Sequence, residues 1–177
     1  MDITSLKTIG VIGAGIMGQG IAQLCAQSGY DVLLYDAQPE QSKTAIASIE
    51  KTISALVGKG KFTEADKKSI LSKIKSVEDF RQLQVDLVIE AIVEKLDVKQ
   101  RIFLELEKIN TKECIFASNT SAISITQIAS VLKHAERFAG LHFFNPAPVM
   151  KLVEIISGVK TSDETIKVLQ AFASQLN

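Results

Sequence analysis

Apolar and polar positions along this chain switch between two periods. Short runs of consecutive apolar residues alternate with stretches whose apolar residues recur every three or four positions, the pattern of strands and helices laid around a parallel sheet. Thr8 to Ile12 reads as a first strand, followed by a glycine turn and a helix to about Ser28, where Gly29 supplies a stop. Asp31 to Tyr35 is a buried second strand. After Pro39 a long amphipathic helix turns Ile46, Ile49, Ile53 and Leu56 inward and ends at Gly58 and Gly60. A charged helix follows from Glu64 to about Ile74, with Ile70, Leu71 and Ile74 inward. Val85 to Glu90 is the third strand, and Val98 to Ile109 a helix with Ile102, Leu106 and Ile109 aligned. Ile115 to Ala117 and Phe138 to Phe143 are further buried strands, separated by a short helix near Ser124 to Val131. Leu152 to Ile156 is the last strand. Thr161 and Glu164 have the spacing of a capping box, opening a final helix through Ile166, Leu169, Phe172, Ala173 and Leu176. The expectation is a doubly wound α/β fold with a mostly parallel sheet, filling one domain over residues 1–177, with a helical arm between the second and third strands. A chain ending on a helix, without the strand that normally follows, hints at a fragment.

Composition narrows the classes. With 46% hydrophobic residues the chain can bury a core, which argues against disorder. Twenty basic and twenty acidic residues cancel, so the basic excess of a nucleic-acid binder is missing. Cys25 and Cys114 stand alone, with no second cysteine or histidine spaced for a zinc ribbon or disulfide framework. No metal site is expected, and a reducing, cytoplasmic compartment fits. No apolar run approaches the roughly 20 residues that span a bilayer, so neither membrane nor nucleic acid is an expected partner.

Gly13-Ala14-Gly15-Ile16-Met17-Gly18 is a G-x-G-x-x-G between a strand and a helix, the context in which that motif binds a dinucleotide. Gly13 allows the tight turn, Gly15 close approach of a pyrophosphate, and Gly18 close packing of the helix whose N-terminus faces the anion. Asp36, eighteen residues beyond Gly18, ends the second strand. Its carboxylate can accept from both ribose hydroxyls and repels a 2′-phosphate, which selects NAD over NADP. The fold expectation becomes a Rossmann type. The bland alternative is a glycine-rich turn beside an aspartate that caps the next loop.

Of the two histidines, His134 lies in a polar stretch that reads as a solvated turn. His142 ends an apolar strand, before Asn145 and the prolines at 146 and 148, which favour an extended, rigid loop. Glu154 sits between Val153 and Ile155, where a carboxylate needs a partner. His142 is the obvious one, and a carboxylate on one ring nitrogen leaves the other free as a base. A catalytic base and a satisfied core histidine stand side by side on this reasoning. Ser121 and Asn145 are polar groups able to orient a hydroxyl, although Ser118 to Ser121 also reads as a plain helix cap.

Four segments are similar to the L-3-hydroxyacyl-CoA dehydrogenases, and most to the bacterial 3-hydroxybutyryl-CoA type: residues 10–18, Glu-Ala-Ile-Val-Glu at 90–94, Ala-Ser-Asn-Thr-Ser at 117–121, and Phe138 through Glu154. The resemblance implies NAD-dependent oxidation of a short-chain 3-hydroxyacyl-CoA, with His142 as base and Glu154 orienting it. Ser121 and Asn145 would then contact substrate, with Ser121 also near the nicotinamide. Glu94 and Lys99 match positions near the nicotinamide ribose, whereas their surroundings alone suggest an exposed loop and a first helical turn. Ser54, Lys59 and Lys61 fall where the family holds coenzyme A, with Lys67 and Lys68 farther on. The family's second, mostly helical C-terminal domain, which closes the acyl site and forms its homodimer, is absent from these residues. Two rivals remain: a sugar-acid dehydrogenase of the kind recruited as a lens crystallin, and a catalytically silent NAD-binding or scaffold domain. The Phe143-Phe144-Asn145-Pro146 loop with Met150-Lys151 looks more like the acyl-CoA branch.

Overall fold

The computed structural model describes residues 6–176; residues 1–5 and 177, the ends of the expected 1–177 unit, lie outside it. Seven strands form one sheet in the order β3-β2-β1-β4-β5-β6-β7. They are β1 (Thr8–Ile12), β2 (Asp31–Tyr35), β3 (Ile74–Val77), β4 (Leu87–Glu90), β5 (Ile115–Ser118), β6 (Phe138–Phe143) and β7 (Val153–Ser157). Every pairing is parallel except β6 with β7. The helices are α1 (Ile16–Gln27), α2 (Pro39–Gly58), α3 (Glu64–Ser72), α4 (Leu96–Ile109), α5 (Ile125–Ala129) and α6 (Asp163–Gln175). No helix among the described residues is long and apolar enough to cross a membrane.

The continuous apolar strands are explained by burial on both faces. Successive residues of β1 serve different cores. Ile9 and Val11 join Ile21, Leu34, Ile49 and Phe172 on the face covered by α1, α2 and α6. Ile12 turns to the other face, with Val88, Phe103, Phe116 and Phe138 beneath α4 and α5. Phe103 and Phe138 meet edge to face at 4.7 Å between ring centres. Strand order reverses at β1, whose two neighbours are β2 and β4, and a doubly wound sheet opens a crevice at the C-terminal ends of the strands there.

Three local expectations are corrected. Ile74 does not end a helix; it opens the edge strand β3, so the strand expected third is fourth in the chain. Ile70, Leu71, Ile74 and Val77 continue a helical spacing, whereas in the strand Ile74 and Val77 point to opposite cores, and pairing with Val32 to Tyr35 decides it. The last helix is capped by Ser162, which accepts from the Thr165 N–H, and not by Thr161. Thr161 Oγ1 instead donates to Phe138 O and accepts from Gly158 N. The segment after Asn145 folds as a tight turn, not an extended loop: Val149 N and Met150 N both donate to Pro146 O, and the Asn145–Pro146 bond is cis.

Candidate active site

The glycine turn lies between β1 and α1. Gly13 has a φ of +97°, and a Cβ there would stand 2.6 Å from Ala91 O in the loop after β4. A Cβ on Gly18 would collide with Gly13 O, so α1 can pack on the turn only without one. Gly15 is the opposite case, since nothing lies within 4 Å of its Cβ position. The α1 N-terminus has no side-chain cap and no acidic residue in its first turn, which leaves its N–H groups and dipole to an external anion. Asp36 stands at the C-terminal end of β2, and its Oδ2 accepts from Ala14 N at 2.8 Å while Oδ1 accepts from Gln38 N at 2.9 Å. Gly13, Ala14, Gly15, Ile16, Met17, Gly18 and Asp36 thus form one open cradle. An uncapped helix end beside a backbone with room at Gly15 fits a dinucleotide pyrophosphate.

His142 and Glu154 are register partners across the antiparallel β6–β7 pair. Nδ1 of the imidazole lies 2.9 Å from Glu154 Oε2, with the side chains 19% and 52% exposed. That contact engages one ring nitrogen and leaves Nε2. The cleft beside the ring, about 330 Å³, is lined by Met17 from the glycine turn, Glu94, Asn119, Ser121 and Asn145. Asn119 Oδ1 accepts from Phe143 N at 2.8 Å, which ties the end of β5 to the histidine strand. A second hollow of about 290 Å³ adjoins on the other side, between Ser121 to Thr126 and the His142–Glu154 pair. His134 pairs with Glu136 at 3.1 Å and lines neither hollow.

Glu94 and Lys99 differ from what their surroundings in the sequence suggest. Lys99 is only 1% exposed, and its ammonium contacts Glu90 Oε1 at 2.6 Å and Glu94 Oε2 at 3.1 Å. Only Glu94 of this pair reaches the cleft. Burial opposes ionisation of Glu94, but hydrogen bonds from Thr120 and Lys99, with the Lys99 charge, hold its carboxyl below the usual glutamate range. Glu90, fully buried, is the functional candidate that sequence reasoning missed. The signal was a carboxylate closing the apolar strand Leu87-Val88-Ile89, where burial demands a partner.

The residues expected around coenzyme A are only partly brought together. A groove of about 730 Å³ runs between α1, α2 and the turn after β6, and Asn145 lines both it and the cleft. Lys61 stands in its wall with Thr52, Leu56 and Phe62, while Ser54 and Lys59 do not. Ser54 Oγ donates to Glu50 O within α2, and Lys67 lies 3.4 Å from the Glu50 carboxylate.

Comparison with known proteins places the fold in a family. Residues 8–177 match the family model described as 3-hydroxyacyl-CoA dehydrogenase, NAD binding domain. The 3-hydroxybutyryl-CoA dehydrogenase of Bradyrhizobium diazoefficiens is 44% identical over 172 residues, which is 97% of this chain and 59% of that protein. The 3-hydroxyadipyl-CoA dehydrogenase of Escherichia coli is 45% identical over 166 residues, 93% of this chain and 35% of that one. The crystal structure of (S)-3-hydroxybutyryl-CoA dehydrogenase from Ralstonia eutropha superposes with a TM-score of 0.94 at 44% identity, covering 97% of this chain and 61% of that chain. The chain therefore spans between about a third and three fifths of the length of these relatives. Since the family model matches the chain from β1 to its end and the solved relatives share its fold, this chain belongs to the 3-hydroxyacyl-CoA dehydrogenases, through their NAD-binding domain.

Proposed function

We propose that the protein oxidises an L-3-hydroxyacyl-CoA to the 3-oxoacyl-CoA, using NAD, with His142 as general base and Glu154 as its orienting carboxylate. The 2.9 Å contact between His142 Nδ1 and Glu154 Oε2 carries this reading, because it leaves Nε2 as the base in a cleft that also touches the glycine turn. NAD, when bound, supplies the acceptor for the hydride leaving the substrate carbon. His142 Nε2 takes the proton of the substrate hydroxyl, and Glu154 stabilises the imidazolium that results. Ser121 and Asn145 orient the reacting oxygen by hydrogen bonding. The turn from Gly13 to Gly18 holds the pyrophosphate, with Ala14, Ile16 and Met17 contributing backbone, and Asp36 takes the ribose hydroxyls and disfavours a 2′-phosphate. Glu94 serves the nicotinamide side, with Lys99 acting through it.

The thioester arm runs from the cleft past Asn145 into the groove, where Lys61 meets phosphate charge; Ser54 and Lys59 serve the more distant end of coenzyme A. 3-Hydroxybutyryl-CoA is the first substrate to test, since it is named for several relatives. A helical C-terminal domain completes the acyl site and the homodimer, and the protein works in the cytoplasm. Loss of NADH absorbance with acetoacetyl-CoA tests the reaction. Cofactor binding without turnover, in the protein that includes the second domain, favours the silent module instead.

A further inference from the structure

Glu90 does not line the cleft, yet its carboxylate is among the most fully engaged groups in the domain. Oε1 accepts from Ile92 N at 2.7 Å and from Lys99 Nζ at 2.6 Å, and Oε2 accepts from Ser118 Oγ at 2.6 Å. Lys99 Nζ continues to Glu94 Oε2 at 3.1 Å. Glu94 Oε1 in turn accepts from Thr120 Oγ1, from Ser121 N at 3.1 Å and from Ala122 N at 3.3 Å. A continuous run of hydrogen bonds, with the Lys99–Glu94 ion pair as one link, thus leads from the end of β4, through the start of α4, to the backbone that presents Ser121 to the cleft.

Stability alone gives little reason for such an arrangement. Desolvating an ammonium and a carboxylate is costly, and apolar side chains of similar volume often serve a fold as well or better. What charged hydrogen bonds add is direction. With Glu90 fixed by three donors, Lys99 can reach Glu94 from one side only, and Glu94 is pinned between that ammonium and the Thr120–Ala122 backbone.

We propose that Glu90 is a positioning residue, which acts through Lys99 to fix the Glu94 carboxylate and with it the Ser121 segment at the wall of the cleft. The catalytic consequence rests on the function proposed above; the effect on the segment does not. The double substitution Glu90→Gln with Lys99→Met separates this role from packing. The amide keeps an acceptor for Ile92 N and offers Ser118 Oγ a donor, and both buried charges vanish together. The thermal midpoint should stay near that of the parent. Exchange of the Ser121 and Ala122 amide hydrogens should quicken about tenfold, the loss of roughly one net hydrogen bond, while Val88 and Phe116 in the sheet stay protected. NADH should bind about tenfold more weakly, and adding Glu94→Gln should change little more, because the residues act as one unit.

Glu94→Gln alone keeps an oxygen for Ser121 N and Ala122 N but breaks the contact with Lys99 and leaves the buried pair intact, so it serves if the double variant fails to fold; without that anchor the same two amides should quicken. Unchanged exchange at Ser121 and Ala122 in a folded variant overturns the proposal, as does a fully additive effect of Glu94→Gln. A parent that binds no NADH would sink the proposed function, and the exchange measurement would still decide the role of Glu90.

Discussion

His142 and Glu154 face each other across the antiparallel β6–β7 pairing, and their side chains meet at 2.9 Å. Had β7 run parallel, as every other strand does, the two residues could not be opposed in this register. The reversal is made by the turn at Pro146, which returns the chain beside β6. It also lays Asn145 between the cleft and the groove. One turn therefore fixes the Glu154 carboxylate beside His142 and a polar wall of the cleft together.

Removing the proposed base should be costly in kcat and nearly silent in cofactor binding. His142→Ala should lower kcat by about 10²–10⁴-fold, the usual contribution of a positioned base, with the NADH Kd unchanged. Glu154→Gln keeps the shape but loses the charge-assisted bond, worth about 1.5–3 kcal/mol, so kcat should fall by roughly ten- to a hundredfold. Steady-state assay with acetoacetyl-CoA checks both. Full activity in either variant would return His142 to a structural role.

Two alanines in the glycine turn should behave in opposite ways. At Gly15 the backbone has φ −69° and space for a methyl, so Gly15→Ala should fold normally, the chain-entropy gain offsetting the poorer N-cap to within about 1 kcal/mol. Its methyl, however, takes the room proposed for pyrophosphate, and NADH affinity should collapse. Gly18→Ala drives a methyl into Gly13 O, so it should lose about 1–3 kcal/mol or more as α1 is displaced. Urea midpoints beside NADH titration separate the two. A Gly15→Ala protein that binds NADH as the parent does would refute the cradle.

Asp36 has a second duty that changes its expected phenotype. The parent should bind NADH well ahead of NADPH, because the carboxylate repels a 2′-phosphate. Asp36→Ala should narrow that gap almost wholly by weakening NADH, since Ala14 N also loses its acceptor and the turn loosens. Asp36→Asn keeps an oxygen for Ala14 N and removes the charge, so it should gain NADPH affinity as well. Equal affinities in the parent, measured by fluorescence titration, would remove this account.

How much of this was legible in the sequence follows from how local each signal is. β1, the glycine turn, α1 and β2 were readable to within a residue or so, because apolar runs and φ-positive glycines such as Gly13 and Gly29 act over a few positions. β3 was not, since Ile74 and Val77 continue the helical spacing of Ile70 and Leu71, and only pairing with Val32, forty-two residues earlier, selects the strand. The partnership of His142 with Glu154 was inferable because a carboxylate between aliphatics demands a partner. Lys99 looked exposed for the converse reason: its two carboxylates come from the end of β4 and from the following loop, and no helical spacing links them to it.

The two thiols should make the fold sensitive to alkali. Burial pushes both Cys25 and Cys114 up to about 12 from an ordinary value of 9.0. Below pH 9 both folded and unfolded chains keep these thiols protonated, and nothing is lost. Between about 9 and 12 the unfolded chain ionises while the folded one does not, so stability falls by about 1.4 kcal/mol per pH unit for each thiol. Tyr30, raised by its own burial and then by the nearby Cys25, adds to the same trend at higher pH. Cys25→Ala and Cys114→Ala should each cost about 1 kcal/mol near neutrality through lost packing, and should flatten the alkaline slope. Neither native thiol should react with a thiol reagent at pH 8 until the protein is unfolded. Urea midpoints from pH 8 to 11 make the measurement, and a slope that survives removal of both thiols would assign the alkaline sensitivity elsewhere.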